Sequence, residues 1–146
     1  MLEVAGDREV YEPILQRLVG QVCHRTLACN SFKLRFETIT KTADRGYIWI
    51  DPPWSLMYRE QLITDSFLCP HYEEANYSQK FRQWCNLFSP LNQTVMTRYE
   101  FTDGGDLNLF FLHSYWLHIP AIAEELQDED SDWYLHWYAR IIKESS

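Results

Sequence analysis

Glycine is scarce in this chain, five residues in 146. Gly6, Gly20, Gly46, Gly104 and Gly105 make no spaced glycine-rich loop after a strand. A backbone cradle for a nucleotide phosphate is therefore not expected. Four cysteines, Cys23, Cys29, Cys69 and Cys85, contain no C-x-x-C pair, which removes the usual zinc-ribbon and dithiol motifs. No long hydrophobic run is present. The stretch from Leu107 to Ile119 is broken by Asn108, His113, Ser114 and His118, short of the ~18 apolar residues of a membrane span. Basic side chains are in deficit, 13 against 21 acidic, for a net charge of −8. A chain of that charge repels phosphate backbones, so a nucleic-acid partner is not expected. The opening MLEVAGDREVYEP is charged and lacks the apolar core of an export signal. A cytoplasmic protein with reduced thiols is expected.

What the chain has in excess is aromatic surface, 16% of residues with six Trp and nine Tyr. Such side chains bury large areas and favour strands and interfaces. The length fits one domain, residues 1–146, with enough chain for a real core.

Apolar periodicity places two helices. Val10, Ile14, Leu15, Leu18 and Val19 make one stripe over 8–19, with Pro13 suited to a first turn and Gly20 to a stop. Tyr77, Phe81, Trp84, Cys85 and Phe88 make another over 76–88, barred from continuing by Pro90. Strict alternation marks strands at Phe32–Phe36, Tyr47–Asp51, Val95–Phe101 and Leu107–Phe111. Weaker strand signals fall at 21–29, 61–67, 116–119 and 133–141, and the last of these also reads as a helix capped by Ser131. Asp103-Gly104 is a hairpin signal, and Pro52 and Pro120 end their strands. Lys33, Arg35, Arg25 and Arg98 are expected on outward sheet faces.

The two halves read alike. Leu18-x-x-x-Val22 recurs as Leu91-x-x-x-Val95, and Leu34-x-Phe36 recurs as Leu107-x-Leu109 at the same offset. Ile48-x-Ile50 recurs as Leu117-x-Ile119 at a slightly shorter one. This implies an internal repeat, 8–68 and 76–142. The expected fold is α+β, two similar helix-plus-β-meander halves in a mainly antiparallel system: open sheet, sandwich or partly closed barrel. Leu18-Val19-Gly20, Leu34-x-Phe36, Trp54, Ile63-Thr64-x-Ser66, Gly105-Asp106-Leu107-x-Leu109 and Asp132-Trp133 together resemble short, β-rich, two-repeat bacterial proteins. Those proteins are often uncharacterised, and some are immunity-like proteins of toxin systems. The resemblance implies a fold and hands over no catalytic residue.

Several motifs bear on chemistry. Asp51-Pro52-Pro53-Trp54 after a strand resembles the motif of amino-group methyltransferases, in which the Asp and a proline carbonyl hold the target amine. Without a glycine-rich cofactor turn, it reads as a strand end with a packed Trp. Cys69-Pro70-His71 offers two ligands where zinc wants four, so no metal and no cofactor are expected. Asp51, Trp54, Cys69, His71 and His118 are the candidates for a cleft between the halves. The acidic run Glu124–Asp132 is the strongest electrostatic feature. Asp128, Glu129, Asp130 and Asp132, with the aromatic anchors Trp133 and Trp137, form the expected partner-binding surface. The expected function is a non-enzymatic protein-binding domain, an immunity-like inhibitor of a basic partner, with no membrane role and with homo-oligomers possible through strand edges. The alternative is a small enzyme or ligand-binding domain using the cleft.

Overall fold

A computed structural model describes residues 2–4, 8–36, 46–120 and 139–143, with the backbone alone at 2–4, 8–10, 46 and 139–143. The expected partner surface at Asp128, Glu129, Asp130, Asp132, Trp133 and Trp137 lies outside the described residues. The elements run β1 (Leu2–Val4), α1 (Arg8–Leu18), β2 (Val22–Ala28), β3 (Ser31–Phe36), β4 (Gly46–Ile50), β5 (Ser55–Tyr58) and β6 (Gln61–Asp65). After a 3-10 turn, Ser66–Leu68, come α2 (Tyr77–Asn86), β7 (Thr94–Phe101), β8 (Leu107–Phe111), β9 (Tyr115–Ile119) and β10 (Ala139–Lys143). The fold is α+β with a mainly antiparallel open sheet, and all its described strand pairs are antiparallel.

Helix α1 begins before Pro13 and carries it inside. A proline there removes one backbone donor. The helix tolerates it because Tyr11, one turn ahead of Leu15, is buried with Ile14, Leu15 and Leu18, while Pro13 faces solvent. Gly20, at φ +89°, supplies the left-handed residue that releases the chain into β2.

Each half is a helix followed by a three-strand meander: α1-β2-β3-β4, then α2-β7-β8-β9. The strand that follows each meander does not stay with it. β5 pairs with β9 of the second half, and β10 pairs with β4 of the first. The sheet order is therefore β1-β10-β4-β3-β2-β7-β8-β9-β5-β6. At the centre, β2 and β7 share only Val22 with Val95 and Cys23 with Thr94. Val95 is the residue that matches Val22 in the second half, so the seam pairs each half with its own counterpart. Gly20 N–H donates to Met96 O at 2.7 Å and Met96 N–H to Gln21 O at 3.2 Å, which extends the seam by two bonds.

The helices cover one sheet face. Phe32, Leu34 and Phe36 of β3, Ile48 and Ile50 of β4, Leu107, Leu109 and Phe111 of β8, and Leu117 and Ile119 of β9 all point to it. The alternate residues of β3 lie on the opposite face, helix-free among the described residues, where Lys33 Nζ sits 4.4 Å from the Tyr47 ring. Arg25 corrects its expected outward place. It shares the parity of buried Cys23, and its Nε is buried.

The core narrows to an aromatic cluster beneath the β4–β5 connection. Phe88 is fully buried, with ring centroids 5.2 Å from Phe32, 5.5 Å from Trp54 and 5.1 Å from Trp84. The two indoles have their polar ends satisfied: Trp54 Nε1 donates to Asn30 O at 2.9 Å, and Trp84 Nε1 to Thr64 Oγ1 at 2.8 Å. Because Phe88 touches residues from β3, the β4–β5 link and α2, its loss leaves a cavity few neighbours can fill. Phe88→Ala is expected to lower unfolding free energy by about 3–5 kcal/mol in urea titrations. A loss under about 1 kcal/mol would show that the cluster is not the packing centre.

Candidate functional site

The 3-10 turn after β6 is capped by the last residue of that strand. Asp65 Oδ1 accepts the Phe67 N–H at 2.9 Å, an N-cap that fixes where Phe67 and Leu68 stand. Both then point outward, 77% and 59% exposed. Leu62 on β6 and Tyr72 just beyond the turn are also exposed, at 53% and 71%. Tyr72 stacks on His71 with ring centroids 4.6 Å apart. These four large apolar side chains lie on or shortly after β6, the edge strand of the sheet, and Phe67 and Tyr72 face one cavity. This cavity measures about 310 Å³ and is lined by Cys29, Cys69, His71, Phe67, Tyr72 and Tyr77 among others.

Of the five residues expected in one cleft, Cys69 and His71 line this cavity. Trp54 lies beneath it, bonded to two of the lining residues: its indole donates to Asn30 O, and its backbone N–H donates to Ser66 Oγ at 3.3 Å. Asp51 acts at the strand end. Its Oδ1 accepts from Ser31 Oγ at 2.8 Å and from Trp49 Nε1 at 2.6 Å. His118 is elsewhere, on the helix-free face of β9. There its Nδ1 lies 2.7 Å from Asn108 Oδ1 and its Nε2 3.8 Å from Asp106. Asn108 in turn donates to Glu100 Oε1 at 3.3 Å, which aims its oxygen at the histidine.

The Cys69 thiol is not activated. Burial pushes Cys69 up to about 11, and the charges of Cys29, Cys85 and Glu74 add to the effect. Burial also raises Cys85, against the pull of Arg25. A thiol rather than a thiolate stands there at neutral pH, the reverse of what nucleophilic catalysis asks. Glu74 carries negative charge at the rim. Its carboxyl is lowered chiefly by the His71 backbone N–H it accepts, with Lys80 at 3.5 Å assisting. Among the described residues, no three His, Cys, Asp or Glu side chains converge as metal ligands.

A second concave surface lies on the helix-free face. It measures about 380 Å³ and is lined by Arg59, Arg98, Phe110, Ser114, Tyr115 and Trp116 among others. Sequence reasoning placed Arg98 on an outward face but did not bring Arg59 beside it.

Comparison of the chain with protein families, with curated proteins and with solved structures finds no match in any of the three. No helix among the described residues is long and apolar enough to cross a membrane.

The thiol assignment is open to direct measurement. Cys29 is exposed, while at pH 8 only about one Cys69 in a thousand is thiolate. Pulsed iodoacetamide labelling read by peptide mass spectrometry should therefore mark Cys29 first. Labelling of Cys69 should rise with each pH unit toward about 11. Equal rates at pH 8 would contradict a half-buried, protonated Cys69.

Proposed function

We propose that this chain is a protein-binding domain that takes a basic partner at the β6 end of its sheet. The observation that carries the reading is the exposed set Leu62, Phe67, Leu68 and Tyr72 beside an edge strand. The same fold buries more than twenty other hydrophobic side chains, so an apolar cluster left outside marks a surface meant for another molecule. The anchors are partly ordered before binding. Phe67 is held by the Asp65 cap and Tyr72 by its stack on His71, which reduces the entropy lost on docking.

Side chains, rather than strand addition, carry the contact. The β5–β6 ladder shifts register between Leu56 and Met57, leaving Ile63 out of it. Such a bulge twists an edge away from pairing with another strand. The charge of the partner follows from the chain's −8 and from Asp65, Glu73 and Glu74 around the patch. Rim carboxylates speed the approach of a basic surface and contribute less to the lifetime of the complex. Occupation of such a surface blocks whatever the partner does with it, the behaviour of an immunity-like inhibitor.

A photo-crosslinking residue at Leu68 should capture a basic protein from the native host, and one at Lys33, on the helix-free face, should not. The double substitution Phe67→Ser with Leu68→Ser should abolish that capture while leaving Tm within a few degrees, because both side chains are already in water. Retention of the same partner by the double variant, or capture from Lys33 alone, would overturn the reading.

A further inference from the structure

We propose that the groove between the β5–β6 turn and the β8–β9 turn is a binding site for a small aromatic anion, a planar base carrying a phosphate. This is independent of the protein-binding reading, because the groove shares no lining residue with the cavity beside Phe67.

Backbone strain points to the place. Arg59, His113 and Ser114 all have left-handed backbones, at φ 53°, 64° and 70°. That region disfavours residues with a Cβ and persists where the surroundings enforce it. Here the strained turns hold each other. Arg59 N–H donates to Ser114 O at 2.9 Å, and the Trp116 indole donates to Arg59 O at 2.6 Å. The Arg59 backbone is thus fixed from both sides by the other half of the molecule.

The side chains around this joint have two chemistries. Phe110 and Trp116 lie nearly parallel, 20° between planes and 5.5 Å between centroids. The Arg98 guanidinium sits 3.7 Å from the Phe110 centroid. Aromatic faces of this kind accept nucleobases with little regard to sequence. Among the described residues, the charged side chains lining the groove are Arg59 and Arg98, both positive, on a chain with 21 acids and 13 bases. Arginine is the residue suited to bidentate phosphate recognition. Glu100 lies 3.6 Å from Arg98, but one carboxylate contact through a single nitrogen does not saturate the five donors of a guanidinium. The volume, about 380 Å³, lies in the range of small-ligand sites. A polynucleotide is disfavoured by the chain's overall charge, so a mononucleotide is the fitting class.

The Trp116 indole N–H, pinned to Arg59 O, provides a reporter inside the site. In 15N-labelled protein its resonance is assigned by its disappearance in Trp116→Phe. Titration with adenosine monophosphate should shift it saturably while the buried Trp54 and Trp84 indoles stay still. Adenosine and inorganic phosphate, each lacking one half of the ligand, should bind at least about tenfold more weakly. Arg98→Gln should weaken the nucleotide by a similar factor. Arg59→Gly, which accepts the left-handed backbone and removes the whole side chain with its guanidinium, should do the same. Absence of a saturable shift into the millimolar range would overturn the proposal. So would equal binding of adenosine or phosphate alone, or unchanged affinity in both arginine variants.

Discussion

A three-strand meander with one helix on it has two needs that it cannot meet alone: its apolar face is wider than one helix, and its outer strand has an unpaired edge. In this protein the outer edge of each meander is met by a strand from the other half, β5 against β9 and β10 against β4. This exchange is the constraint on which the rest of the structure depends. The direct seam between the halves, two residue pairs at Val22 and Cys23, is too short to hold them. The aromatic cluster strengthens the same link, because Trp54 leaves β4 on its way to the partner half and stacks there against Trp84 of α2. The seam itself has the self-complementary form of a two-fold interface, as in a dimer, but inside one chain.

Both proposed surfaces are products of that exchange. By carrying β5 and β6 across to β9, it brings Arg59 of the first half against Ser114 and Trp116 of the second. The basic, aromatic groove exists only because residues from both halves meet there. The same crossing makes β6 the edge of the sheet and leaves Leu62, Phe67 and Leu68 without a covering layer. Charge is sorted accordingly. Asp65, Glu73 and Glu74 are close in the chain to the exposed Phe67, Leu68 and Tyr72, while the groove collects two arginines. Net charge predicts the first of these environments and says nothing about the second.

Much of the architecture was legible because alternation and helical spacing are local. Phe32, Leu34 and Phe36 point inward as their pattern implies, and so do Leu107, Leu109 and Phe111. Prolines at 52 and 120 follow strands, as they must. Two things were not legible. Strand β5, Ser55–Tyr58, is four residues without a clear alternation, directly after two prolines, and nothing local names its partner in β9. Pairing between distant strands is settled by burial of the whole sheet, not by any segment. The candidate cleft residues are divided on the same ground. Cys69 and His71, neighbours in sequence, stayed together. His118 did not join them, and its parity explains why: Leu117 and Ile119 take the core face of β9, so His118 must take the other. Arg59 gave no signal at all, since its role comes from a turn that only the exchange positions.

If the exchanged strands bind the halves into one cooperative unit, neither meander can open alone. Native-state hydrogen exchange in rising urea measures this directly, by following the amides of β3, Phe32–Phe36, and of β8, Leu107–Phe111. The account predicts that the two sets converge on a single opening free energy and a single urea dependence. Separate isotherms, with one meander opening at a lower free energy while the other stays protected, would contradict it.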